Sequence, residues 1–147
     1  EVEKSSTTFY TAVIFPMIIL FSIWINDTMA YIVGSLIGKT PLSKISPKKT
    51  WEGTLGGMLL AIVVMGLIDL YVFGLKKNSD NFHWFVIPAI AAIAGTIGDL
   101  FESKIKRMAG AKDSGNFLPG HGGFLDRFDS LLFAVPAVWV YMKIALQ

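Results

Sequence analysis

Four apolar stretches, each near the length of a membrane span, constrain this chain more than any other feature. They run from Phe9 to about Ile37, from about Thr54 to Phe73, from about Phe82 to Leu100, and from near Phe124 to Ala145. A helix needs about 20 mostly apolar residues to cross a hydrocarbon core of roughly 30 Å. With 53% hydrophobic and 16% charged residues, the chain falls well below the roughly 25% charge of soluble domains. The expected fold is all-α: a polytopic transmembrane bundle of about four membrane helices, forming one domain over residues 1–147. Pro16 lies within the first stretch and is expected to kink it. The opening EVEKSSTTFY lacks the pattern of a signal peptide and reads as a loop of a longer protein.

Between the third and fourth stretches lies a block that is expensive to hold near lipid. Residues 99–129 carry Asp99, Glu102, Asp113, Asp126 and Asp129, five basic residues and His121, interleaved with glycines. Ionisable groups at membrane depth are rare and usually functional. The third helix is expected to continue past the membrane surface to about Arg107. Asp99, Ser103, Lys106 and Arg107 then fall at i, i+4, i+7 and i+8 on one face, a stripe suited to metal and phosphate or to an ordinary solvated helix end. Asp126 and Asp129, at i and i+3 in the first turn of the last helix, also face one site. Hard oxygen ligands of this kind suit Mg²⁺. The glycines between, including Gly122 and Gly123, let backbone approach phosphate or simply make turns. Neither a P-loop nor a dinucleotide fingerprint is present.

Two other stretches are polar where lipid would not favour it. Asp27, Ala30, Tyr31 and Gly34 share one face of the first helix. Asp27 reads either as a polar residue at a helix end or as a functional carboxylate. The loop of residues 39–53 contains Ser46, Pro47, Lys48, Lys49, Thr50, Trp51, Glu52 and Gly53 in sequence. A positive-inside loop accounts for its lysines, less well for Glu52. Gly53 and Gly57 have the spacing that allows close helix packing. If the helices alternate, this loop and the 99–127 block lie on the same side, with nine of the thirteen basic residues. The positive-inside rule places that side in the cytoplasm. The net charge of +2 does not suggest a nucleic-acid partner, and the absence of cysteine excludes disulfides and Cys-based zinc sites.

The ordered string Ser103-Lys104-Ile105-Lys106-Arg107, Lys112-Asp113-Ser114-Gly115, Leu118-Pro119-Gly120-His121-Gly122-Gly123, Asp126-Arg127-Phe128-Asp129 resembles the signature of the phosphatidate cytidylyltransferases, also called CDP-diacylglycerol synthases. Ser46 to Gly53 and Asp27 to Gly34 agree with it. The resemblance covers the catalytic C-terminal part of a longer family architecture. It implies transfer of the cytidylyl group of CTP to phosphatidate, with pyrophosphate released. It implies a centre on Asp99 and Asp126 with Mg²⁺, with K⁺ as a companion, and a homodimer in a lipid bilayer such as the bacterial inner membrane. Beside these, Asp129 is a candidate supporting metal ligand. Ser103, Lys106, Arg107, Lys112 and Arg127 are candidate catalytic residues. Asp27, Lys48, Lys49, Glu52, His121, Gly122 and Gly123 are candidate substrate-binding residues. A CTP-dependent lipid kinase of the polyprenol or phytol type and a membrane transporter are the alternative readings.

Overall fold

The computed structural model describes residues 13–43, 45–73, 82–111 and 125–145, without the side chains of 69–70, 72–73 and 125–127. Four helices form within them: α1 (Phe15–Ile37), α2 (Trp51–Phe73), α3 (His83–Met108) and α4 (Leu125–Ala145). Among the described residues there is no strand, only one antiparallel bridge between Pro41 and Thr50. Each helix contains a segment long and apolar enough to cross a membrane. The shortest has 21 residues and, at about 1.5 Å per residue, spans roughly the hydrocarbon thickness.

The helix ends follow local chemistry. Pro16 is the second residue of α1, directly after residues 13–14 of π-helical geometry, a local irregularity of the kind that goes with a proline in a helix. α2 begins at Trp51, three residues before the expected Thr54. Thr50 accounts for the difference: its Oγ1 accepts a hydrogen bond from Gly53 N at 3.2 Å and caps the first turn. α3 runs past Arg107, as its charge pattern predicts. Lys106 and Arg107 in its last turn complement the helix dipole. It stops where Gly110 takes a φ of +67°. Gly110 N then donates to Arg107 O and Ala111 N to Lys106 O, closing the end in a Schellman arrangement.

Large apolar side chains point outward on every helix, among them Trp24, Leu59, Ile97 and Leu132. Such a surface would associate in water and is matched by lipid. Inside, the bundle is divided lengthwise. Ile18, Ile19 and Ile23 of α1 pack with Met65 of α2, Ile87 and Ala91 of α3, and Ala134 and Val138 of α4 to form the apolar core. The opposite half holds the buried polar residues Asn26, Thr54, Thr96, Glu102 and Ser130.

Two glycines allow the close approaches that shape the polar half. A Cβ on Gly57 of α2 would stand 2.7 Å from the backbone of Asn26 and Ala30 in α1. A Cβ on Gly98 of α3 would stand 2.6 Å from the carbonyl oxygen of Asp129 in α4. The second contact sets the backbone of Asp129 beside that of Asp99. At the other end, His83 Nδ1 and the Tyr141 hydroxyl share a 2.6 Å hydrogen bond that ties α3 to α4. Gly57→Val should force α1 and α2 apart and lower stability by about 1–3 kcal/mol, the usual range for overpacking. A thermal unfolding midpoint in detergent equal to that of the unsubstituted chain would refute the contact.

Candidate active site

A cavity of about 530 Å³ opens in the polar half, between α1, α3, α4 and the loop before α2. The face of α1 read from helical spacing forms one wall: Asp27, Ala30, Tyr31 and Gly34 all line it. Lys48, Lys49 and Thr50 enter from the loop, and Asp99 and Asp129 from the facing ends of α3 and α4. Thr54, Thr96 and Ser130 supply hydroxyls to the lining. The cavity therefore has a charged part and a neutral, hydrogen-bonding part.

Lys49 and Asp99 form an ion pair that joins the loop to α3. Their side chains are 35% and 23% exposed, so both have given up much of their water. Burial pulls the Lys49 ammonium's pKa below its usual value, while the carboxylates of Asp27 and Asp129 act in the opposite direction. Asp99, Glu102 and Asp129 each bring a carboxylate oxygen to within 4.8 Å of the other two. Glu102 is only 4% exposed and meets Lys106 Nζ at 3.3 Å one helical turn on. Three hard oxygen donors that converge and repel one another could hold a divalent cation of the Mg²⁺, Mn²⁺ or Ca²⁺ kind.

Asn26, 3% exposed, links α1 to α3. Its Nδ2 donates to Thr96 Oγ1 and to Asp27 Oδ1, each at 3.3 Å. The Thr96 hydroxyl in turn donates a hydrogen bond to Ala92 O at 2.8 Å. Asn26 Oδ1 meets no donor among the described residues, an unusual state for a buried amide that a water or a ligand N–H would relieve.

The remaining candidates are placed less centrally. Ser103 is half-buried and Arg107 exposed on α3; neither lines the cavity, and Lys106 is turned to Glu102. Glu52 also stands outside the lining. Its carboxylate accepts hydrogen bonds from Lys39 N and Thr40 N at 3.2 Å. Asp126 and Arg127 lie in the first turn of α4, with side chains outside the described residues, as are Lys112, His121, Gly122 and Gly123.

Glu102, Asn26, Thr96, Thr54 and Ser130 are the residues that motif reading passed over. Glu102 carries a signal in its spacing, three residues from Asp99 and four from Lys106, but it lies off the stripe that runs through Ser103. The hydroxyls carried none, since Thr and Ser in an apolar helix usually bond their own backbone.

Residues 3–145 match the model of the cytidylyltransferase family. The phosphatidate cytidylyltransferase of Thermotoga maritima is 44% identical over 131 residues, which is 87% of this chain and 48% of that protein. That of Aquifex aeolicus is 42% identical over 140 residues, 95% of this chain and 49% of that protein. That of Bacillus subtilis is 43% identical over 125 residues, with shares of 84% and 45%. The chain spans about half the length of these curated relatives.

Removing one carboxylate should weaken divalent binding. In a Mn²⁺ titration followed by electron paramagnetic resonance, Glu102→Gln and Asp129→Asn should each lower affinity by roughly tenfold or more. Unchanged affinity in Glu102→Gln would remove it from the set.

Proposed function

The chain belongs to the cytidylyltransferase family, and we propose that it is the catalytic half of a membrane enzyme that converts CTP and phosphatidate to CDP-diacylglycerol and pyrophosphate. The observation that carries this reading is the convergence of Lys49 with the carboxylates of Asp99 and Asp129 at one cavity between membrane-length helices. The names of the matched relatives support the same reaction.

The chemistry needs little from a protein base. A phosphate monoester is largely dianionic near neutral pH, with a second pKa of about 6. One of its oxygens attacks the α-phosphorus of CTP, forming a new P–O bond. The bond from the α-phosphorus to the α,β-bridging oxygen breaks, and pyrophosphate leaves with that electron pair. The obstacles are repulsion between two anions and the orientation of the attack, so positioning and charge neutralisation dominate. Lys48 and Lys49 bind phosphate oxygens from the loop. By the family resemblance, Lys106, Arg107, Lys112 and Arg127 add positive charge for the phosphates, and Ser103 and His121 offer hydrogen bonds. Gly122 and Gly123 give a phosphate access to the backbone. Asp99, Glu102 and Asp129 would hold Mg²⁺, and Asp126, a ligand by the family resemblance, would add to the set. Mg²⁺ supplies neutralisation of the charge that gathers on the phosphate oxygens. Asp27 orients substrate from α1.

The proposal includes K⁺ as a companion ion and a homodimer, both carried from the family resemblance. It places the cavity toward the cytoplasm of a bacterial inner membrane, supported by the nine basic residues that cluster on that side.

The test is turnover of labelled CTP with phosphatidate in mixed micelles. It is run on the chain alone and on the chain joined behind the N-terminal half of the Thermotoga maritima relative. Label should pass into lipid with release of pyrophosphate, dependent on Mg²⁺. Asp99→Asn or Asp126→Asn should lower the rate by about 10²-fold or more in a protein that still folds. Formation of CDP in place of pyrophosphate would indicate γ-phosphoryl transfer and overturn the proposal, as would absence of CTP turnover in the joined form.

A further inference from the structure

We infer that Glu52 is a positioning residue for this site: it pins the loop that presents Lys49, without itself touching substrate. The inference rests on the reading of Lys49 as a phosphate ligand given above.

The loop between α1 and α2 folds back on itself. Leu42 N donates to Lys49 O at 2.7 Å and Trp51 N donates to Thr40 O at 2.9 Å, flanking the bridge of Pro41 to Thr50. Lys49 N donates to Ser46 O at 3.1 Å, and Ser46 N to Ser43 Oγ at 3.1 Å. The backbone of Lys49 is thus fastened on both its N–H and its C=O. The partner arm, residues 39–42, has two further N–H groups at its start, those of Lys39 and Thr40. Glu52 takes both: Oε2 accepts from Lys39 N and Thr40 N, and Oε1 also accepts from Thr40 N. The carboxylate sits in the first turn of α2, so the arm is anchored to a helix rather than to another loop. Anchored this way, the arm holds Leu42 against Lys49, and Lys49 reaches Asp99. The geometry accounts for a carboxylate beside a lysine-rich substrate loop that nevertheless stays outside the cavity.

A residue that acts through its acceptor oxygens is replaceable by an isosteric amide. One that binds a cation or substrate by its charge is not. One that acts through Lys49 has less left to act on once Lys49 is gone. These differences define the experiment: equilibrium binding of CTP with Mg²⁺ and no phosphatidate, on the form that turns over CTP. The variants are Glu52→Gln, Glu52→Ala, Lys49→Ala and the double variant, with thermal midpoints recorded alongside. Glu52→Ala should weaken CTP binding about tenfold, within what a small misplacement of a contact costs. Glu52→Gln should stay within about threefold of the unsubstituted protein, since one amide oxygen can serve both N–H groups. In the Lys49→Ala background, Glu52→Ala should cost clearly less than it does in the unsubstituted protein, the remainder being the effect on neighbouring Lys48.

Additive losses in the double variant overturn the inference while leaving the proposed function standing. A Glu52→Gln as weak as Glu52→Ala likewise overturns it, in favour of a charge contact. A lower thermal midpoint with unchanged affinity would reduce Glu52 to a structural role. Unchanged affinity in Lys49→Ala removes the assignment of Lys49 and this inference with it. Failure of the unsubstituted protein to bind CTP overturns the proposed function as well.

Discussion

Everything in the polar half depends on a charge problem. Asp99, Glu102 and Asp129 place carboxylate oxygens within 4.8 Å of one another at the end of an apolar bundle. At such a spacing two like charges repel by several kcal/mol at an effective dielectric near 20. The arrangement persists because cations are folded in among the anions. Lys49 comes from the loop to Asp99, and Lys106 from the next turn of α3 to Glu102. Each ion pair is local in chemistry and long-range in consequence. Without Lys49, the helix ends would carry buried charge short of a partner, which is costlier than never burying it. Loop and helices are therefore one electrostatic unit, although 50 residues separate Lys49 from Asp99 in the chain.

That unit needs close backbones. Gly57 lets α1 and α2 meet at Asn26 and Ala30, and Gly98 lets α3 meet α4 at Asp129. In lipid, where apolar side chains gain nothing by leaving the solvent, small residues of this kind are a main source of helix association. The apolar core in the other half, around Ile18, Ile87 and Val138, provides packing on which the polar half is mounted. The buried Asn26 to Thr96 bond lies between the two halves and joins α1 to α3 there. A site that works by positioning benefits from such mounting, because its electrostatic groups are then oriented before any substrate arrives.

The division between the loop and the helix ends has a chemical counterpart in the proposed reaction. Of the two proposed substrates, one is a lipid and the other a water-soluble nucleotide. A cavity walled by membrane-length α1 on one side and by a lysine-bearing loop on another offers each a chemically matched wall.

Much of this was readable in the linear chain. The four helices follow from apolar length alone. Asp27, Ala30, Tyr31 and Gly34 line one wall because helical period is a local property. Lys49 of the loop can reach Asp99 because helices of membrane length must alternate in direction. Other features lay beyond local pattern. Thr50 moves the start of α2 forward, since caps depend on side-chain geometry at single residues. Glu102 joins Asp99 and Asp129 because the close contact at Gly98 sets which turn of α3 faces α4. Glu52 turns to the loop backbone because the fold-back of residues 39–50 brings two N–H groups to it. Periodicity and charge spacing specify where each helix runs and which residues share its face. Which faces meet, and which carboxylate finds which cation, is set by packing between segments far apart in the chain.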